Sequence, residues 1–235
     1  MGRAADIALF AQAGLVAAFQ GAAIAVLGPR VALILAFPIL YAGLLVPFGD
    51  EIIPALQFVT AEMTTALTVW SGISTVADGI HIDTPAGLFI VAEECSGVKF
   101  LIAMVALGLL VAYARMAGWK RRALLLIACV IVPIVANALR AWATIFVAQY
   151  VGAEAAGGFD HIVYGWFFFA IVIAIVLGIA WRWFERDAED AGWTAADVAQ
   201  MGWLDSVAKQ RHSAVLVAIL ALALIFGFAA LLRLV

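Results

Sequence analysis

Long apolar runs separated by short polar stretches set the pattern of this chain. A helix crosses the hydrocarbon core of a bilayer with about 20 residues. Five runs meet that length: about 6–27, 98–114, 122–149, 161–183 and 213–234. A sixth, about 31–48, is shorter but equally apolar; Pro38 should kink it and Pro47 sits at its end. Residues 51–72 read differently. Ile52, Leu56, Val59, Met63, Leu67 and Trp70 share one helical face, while Gln57, Thr60, Thr64, Thr68 and Ser71 share another. Such a helix either lies in the membrane interface or belongs to the bundle and faces a wet cavity. The strong separation of faces favours the interface. Ile80, Ile82, Leu88 and Ile90 then alternate about the turn signal at 83–87, which predicts a small β-hairpin. Residues 184–212 are polar and include a short helix whose N-cap would be Thr194.

Composition agrees with the pattern. Of 235 residues, 67% are hydrophobic and 12% charged, against about 45–50% and about 25% in soluble domains. The expected fold is an all-α, polytopic membrane helical bundle of about six transmembrane helices, with an amphipathic interfacial helix and a small periplasmic β-hairpin. Its organisation would be a membrane domain over 1–183, a polar cytoplasmic loop over 184–212 and a C-terminal transmembrane helix over 213–235. A net charge of −3 excludes a basic nucleic-acid binder. Two cysteines, Cys95 and Cys129, without a CxxC pair, exclude a disulfide scaffold and a thioredoxin-like site.

Charge also orients the chain. Arg30, Arg115, Lys120, Arg121, Arg122, Arg182, Arg186, Lys209 and Arg211 cluster in alternate loops, whereas 31–98 and 141–181 contain no Lys or Arg. Basic loops stay cytoplasmic. Six spans put all of them on one side and both termini outside. Cys95, at the start of the span over 98–114, then lies on the outer side. So do Arg140, 18 residues and about 27 Å beyond Arg122 on a helix, and His161, at the mouth of the next span.

Each of these residues has an ordinary explanation: a buried thiol, a snorkelling arginine, a surface histidine. Three separate positions converging on one level carry more. A thiol nucleophile, a histidine proton carrier and an arginine facing an oxyanion suit acyl transfer from an amide. Lys99 and a helix N-terminus near Cys95 favour its thiolate, while Glu93 and Glu94 oppose it. Asn137 shares a face with Arg140, and Asp160 precedes His161, where it would cap the helix that His161 begins. No His, Cys and carboxylate set has metal-ligand spacing, and no cofactor is called for.

The same residues lie in strings that resemble the exosortases: VAEECSGVKF (91–100), ANALR (136–140) and GFDHIVYGW (158–166). The likeness runs over about 30–186 and is nearest to exosortases of exopolysaccharide-producing Gram-negative bacteria. It implies a multi-pass inner-membrane cysteine protease or transpeptidase with a periplasmic active site. Its partners would be membrane lipids and proteins with a PEP-CTERM tail, a Pro-Glu-Pro motif followed by a transmembrane helix and a basic cluster. Cys95, Arg140 and His161 match the catalytic positions, with Glu94, Lys99, Asn137 and Asp160 supporting. The acceptor, whether water, an amine or a lipid, stays open. Among rivals, a CAAX-type protease motif fails because position 98 is Val. A transporter or polysaccharide-assembly factor, with Arg140 and Asp160 lining a polar path, is the non-catalytic alternative.

Overall fold

The computed structural model describes residues 2–156, 160–187, 190, 192–208 and 219. The chain divides into two compact units, 1–48 with 187–235, and 49–186. Among the described residues, five helices are long and apolar enough to cross a membrane.

The first unit opens with α1 (Gly2–Leu27), the expected first span. The run over 31–48 does not form one span. It breaks into α2 (Pro29–Ile34), α3 (Ala36–Tyr41) and a 3₁₀ turn (Ala42–Leu45). Pro38 is the physical reason for the break: it has no N–H for the Ile34 carbonyl, and the chain kinks at Leu35. Gln20 of α1 donates to the Ile39 carbonyl at 2.8 Å. In the polar segment, α9 (Ala195–Ala199) begins with a full capping box between Thr194 and Asp197, as the N-cap expectation required. It is followed by α10 (Trp203–Ala208), which ties back to α2 through an Arg30–Asp205 ion pair of 2.7 Å. The expected C-terminal span, 213–234, lies outside the described residues.

The second unit contains the other expected spans: α5 (Val98–Arg115), α6 (Trp119–Val151) and, after the short α7 (Ala153–Ala156), α8 (Asp160–Ala180). Met104 and Ala112 of α5, Leu125, Cys129 and Ala136 of α6, and Val172, Val176 and Ala180 of α8 build one core. Gly108 lets α5 and α6 approach closely: a Cβ there would stand 2.6 Å from Cys129 Sγ. At the end carrying Arg115 and Arg121, Glu185 staples the connection. Its carboxylate accepts from the Ala117 and Gly118 amides, each at 3.2 Å, and from Arg121. The Gly118 amide bond, followed by the bond from Ala117 and the nearby Arg121 charge, holds the Glu185 carboxyl below its ordinary range.

The helix over 51–72 requires a correction. It forms α4 (Ile53–Trp70), but its polar stripe does not face water as the interfacial placement required. Gln57, Thr60, Thr64 and Thr68 are all buried. Thr60 and Thr64 meet α6, while Ile52, Val59 and Trp70 of the apolar stripe are exposed. Hydrogen bonding to α6 and the neighbouring loop is better satisfied than a one-sided contact with water could be. α4 packs against α6 at several levels: Thr60 meets Asn137, Thr64 meets the Ala138 carbonyl, and Ser71, just past α4, meets Trp142.

The expected hairpin forms, with a third strand added. β1 (Val76–Asp78), β2 (His81–Thr84) and β3 (Gly87–Ile90) make an antiparallel sheet in the order β1-β2-β3. Thr84 pairs with Gly87 across a two-residue turn, and Ile82 pairs with Phe89. Directly paired residues share a face, so Phe89 joins buried Ile82 while Leu88 and Ile90 point outward. The tight turn sets this register and with it the faces of β3.

Candidate functional site

Cys95 ends a 3₁₀ turn (Glu93–Cys95) between β3 and α5. This short segment packs against Ala61 of α4, Ile82 and Val91 of the sheet region and Ile145 of α6, with Cys95 itself partly buried. Its backbone is fastened from α6. Asn137, 1% exposed, donates through Nδ2 to the Cys95 carbonyl at 2.7 Å and to Thr60 Oγ1 at 3.2 Å. Gly97, at φ +81°, lies directly on Asn137, where a Cβ would come within 2.9 Å of Cγ. Only glycine combines that conformation with that approach.

Arg140 follows Asn137 by three residues, on the same side of α6. Its Nε is buried and has no hydrogen-bond partner among the described residues. Its Nη1 lies against α8, where a Cβ added to Gly165 would be 2.9 Å away. A partly buried guanidinium in this state retains the capacity to bind a planar anion or a developing oxyanion. α8 is held at this level by Phe100 of α5, whose ring stacks on Phe169 with centroids 3.6 Å apart.

The main chains of Asp160 and His161 begin α8, and His161 stands four residues before Gly165, on the same helical stripe. The side chains of both lie outside what the structure describes. Glu94 and Lys99 flank Cys95 with exposed side chains. Cys129 is buried in the helical core beside Gly108, well removed along α6 from Asn137.

The structure therefore bonds Asn137 to the Cys95 backbone, places Arg140 one turn further along α6 and sets α8 beside Arg140. Sequence reasoning singled out these residues but missed Gln57, Thr60, Gly97 and Gly165. Gln57 and Thr60 were legible as a polar stripe, but nothing in the pattern named their partners. The two glycines carry no chemistry of their own, and only the approach of a neighbouring side chain reveals their role.

No curated protein and no solved structure matches the chain. The sequence profile of the transmembrane exosortases matches residues 1–178, beginning earlier than the likeness expected over about 30–186. That family comprises membrane cysteine proteases and transpeptidases that sort proteins. With a match over most of its length and a fold of several membrane-length helices, the chain belongs to the transmembrane exosortase family.

Proposed function

We propose that this chain is a cysteine protease/transpeptidase that removes the C-terminal PEP-CTERM sorting signal of exported proteins at the periplasmic face of the bacterial inner membrane, in cells that make exopolysaccharide. Residues 1–183 would form its catalytic membrane domain, followed by the cytoplasmic loop over 184–212 and the last span over 213–235. The observation that most supports this reading is the fastening of the Cys95 backbone to α6 one turn from Arg140. Asn137 holds the Cys95 backbone at 2.7 Å, and one turn on, Arg140 keeps a buried Nε without a partner among the described residues.

The chemistry follows from the side chains. Cys95 Sγ passes its proton to His161 and attacks the amide carbon, placing negative charge on the carbonyl oxygen. The Arg140 guanidinium, permanently charged and planar, stabilises that oxyanion with up to two hydrogen bonds. Collapse breaks the C–N bond, and the departing amine takes the proton from His161. The resulting thioester passes to water, an amine or a lipid nucleophile, restoring the thiol. Asp160 puts an acidic residue in the first turn of the helix that carries His161, where the helix dipole favours it.

Co-expression with a PEP-CTERM protein, with tail cleavage read by mass spectrometry, tests the reading. Cys95→Ser should abolish cleavage and Cys129→Ala should retain most of it. Cleavage surviving in Cys95→Ser would end the proposal and favour a non-catalytic transporter or assembly factor with Arg140 and Asp160 along a polar path. His161→Ala should prevent the thioester from accumulating on Cys95, and Asp160→Asn should be milder. An acyl-enzyme forming at the wild-type rate in His161→Ala would remove His161 from the acid role.

A further inference from the structure

The segment from Val91 to Gly97 carries Cys95; its Val91 amide donates to the Ile80 carbonyl at 3.0 Å, and beyond that its backbone makes one 3₁₀ turn. Two buried primary amides grip it. Gln57 of α4, 9% exposed, donates through Nε2 to the Val91 carbonyl at 2.7 Å. Asn137 of α6 donates through Nδ2 to the Cys95 carbonyl, also at 2.7 Å. A carbonyl can only accept, so both amides must present their NH₂ to the segment. The second N–H of Asn137 goes to Thr60 Oγ1, three residues from Gln57 on the same face of α4. Asn137 Oδ1 is buried with no partner among the described residues, so one nitrogen makes both of these Asn137 bonds. Gly97 closes the arrangement by leaving no room for a Cβ beside Asn137.

We infer that Gln57 and Asn137 are positioning residues that form a two-point clamp on the nucleophile segment, with Thr60 setting the angle of the Asn137 amide. None of the three touches the reacting bond. They fix the main chain on either side of Glu93 and Glu94, and so the direction from which the Cys95 thiol meets its target. The inference rests on Cys95 being the nucleophile.

The test uses the full chain in detergent-solubilised membranes, with a PEP-CTERM protein as substrate and rates measured from pH 5.5 to 8. Gln57→Glu and Asn137→Asp keep size and shape but replace the donor with a carboxylate. At neutral pH each should lower kcat at least ten-fold with KM within about two-fold, because misplacing a reacting group by about 1 Å can cost about 10²-fold. Part of the loss should return at the acid end, relative to wild type, where a protonated carboxyl regains an O–H donor. Thr60→Val should lower kcat several-fold, and Thr60→Ser, which keeps the hydroxyl, should restore it. The Thr60 pair decides the matter if the carboxylate variants fail to assemble. Wild-type kcat in assembled Gln57→Glu and Asn137→Asp, a loss confined to KM, or equal rates in Thr60→Val and Thr60→Ser would overturn the clamp. Cys95→Ala, run in parallel, separates the two ideas. Processing that survives there removes the nucleophile, whereas an inactive Cys95→Ala beside fully active clamp variants removes only the clamp.

Discussion

At the scale of single residues, the contact between Arg140 and Gly165 yields the sharpest expectations. Arg140→Lys keeps the charge but loses the planar fork. Processing of the tail should fall on the order of 10²-fold, the size of effect seen when one oxyanion donor is lost. A near-normal rate would mark Arg140 as a snorkelling anchor. Gly165→Ala leaves Arg140 itself unchanged but places a methyl 2.9 Å from Nη1. The guanidinium is the far end of a flexible side chain and can move aside, so thermal stability should hardly change. Processing should fall about ten-fold, because orientation of a charged fork is sensitive to shifts of about 1 Å. Parallel melting and cleavage assays separate the two effects. Equal loss of folding and activity would mean that Gly165 serves packing alone.

At the scale of elements, α5 and α6 meet at Gly108, and the available space there is taken up by the Cys129 thiol. Gly108→Ala should destabilise the helix pair by about 1–3 kcal/mol, the usual cost of overpacking. Cys129→Ala in the same chain should recover much of it by removing Sγ, which unfolding in detergent would show as non-additivity. A Gly108→Ala protein as stable as wild type would show that the two helices can separate at no cost. The connection between these helices has its own pH signature. Glu185 is ionised at neutral pH, with its carboxyl held below the ordinary value of 4.5 by the Gly118 and Ala117 amides and by Arg121. A depressed folded-state pKa means the staple is fully present above the ordinary value and is lost as the pH falls through the lowered one. Protection of the Ala117 and Gly118 amides from hydrogen exchange should therefore drop on acidification below about pH 4.5, and Glu185→Gln should remove that dependence. The effect on overall stability should be small, because the site is exposed to solvent and to screening.

At the scale of the whole molecule, orientation is the property most open to test. Reporter fusions near Gly158 and near Ala188 should report opposite sides, outside and cytoplasmic, from the Lys and Arg asymmetry of the loops. The same side for both would sink the proposed topology and the periplasmic site with it. Much of the architecture was legible in the chain itself. About 20 apolar residues in succession have few alternatives to a membrane-length helix, so α1, α5, α6 and α8 could be read directly. A turn signal at 83–87 between alternating apolar residues predicted the β2–β3 hairpin, and the Thr194 cap declared itself because capping is local. Cys95, Arg140 and His161 stood out because their chemistry is scarce in such a chain. What the sequence could not determine depends on partners distant in the chain. The polar stripe of α4 looks the same whether it faces water or a neighbouring helix, and only its bonds to Val91 and Asn137 decide which. The register of β3 follows a turn that shifts every side chain to the other face if it moves by one residue. Gly97 and Gly165 are defined by atoms 40 and 25 residues away along the chain. A period or a run of apolar residues records how a segment meets its solvent, whereas close approach between segments is settled only when they pack.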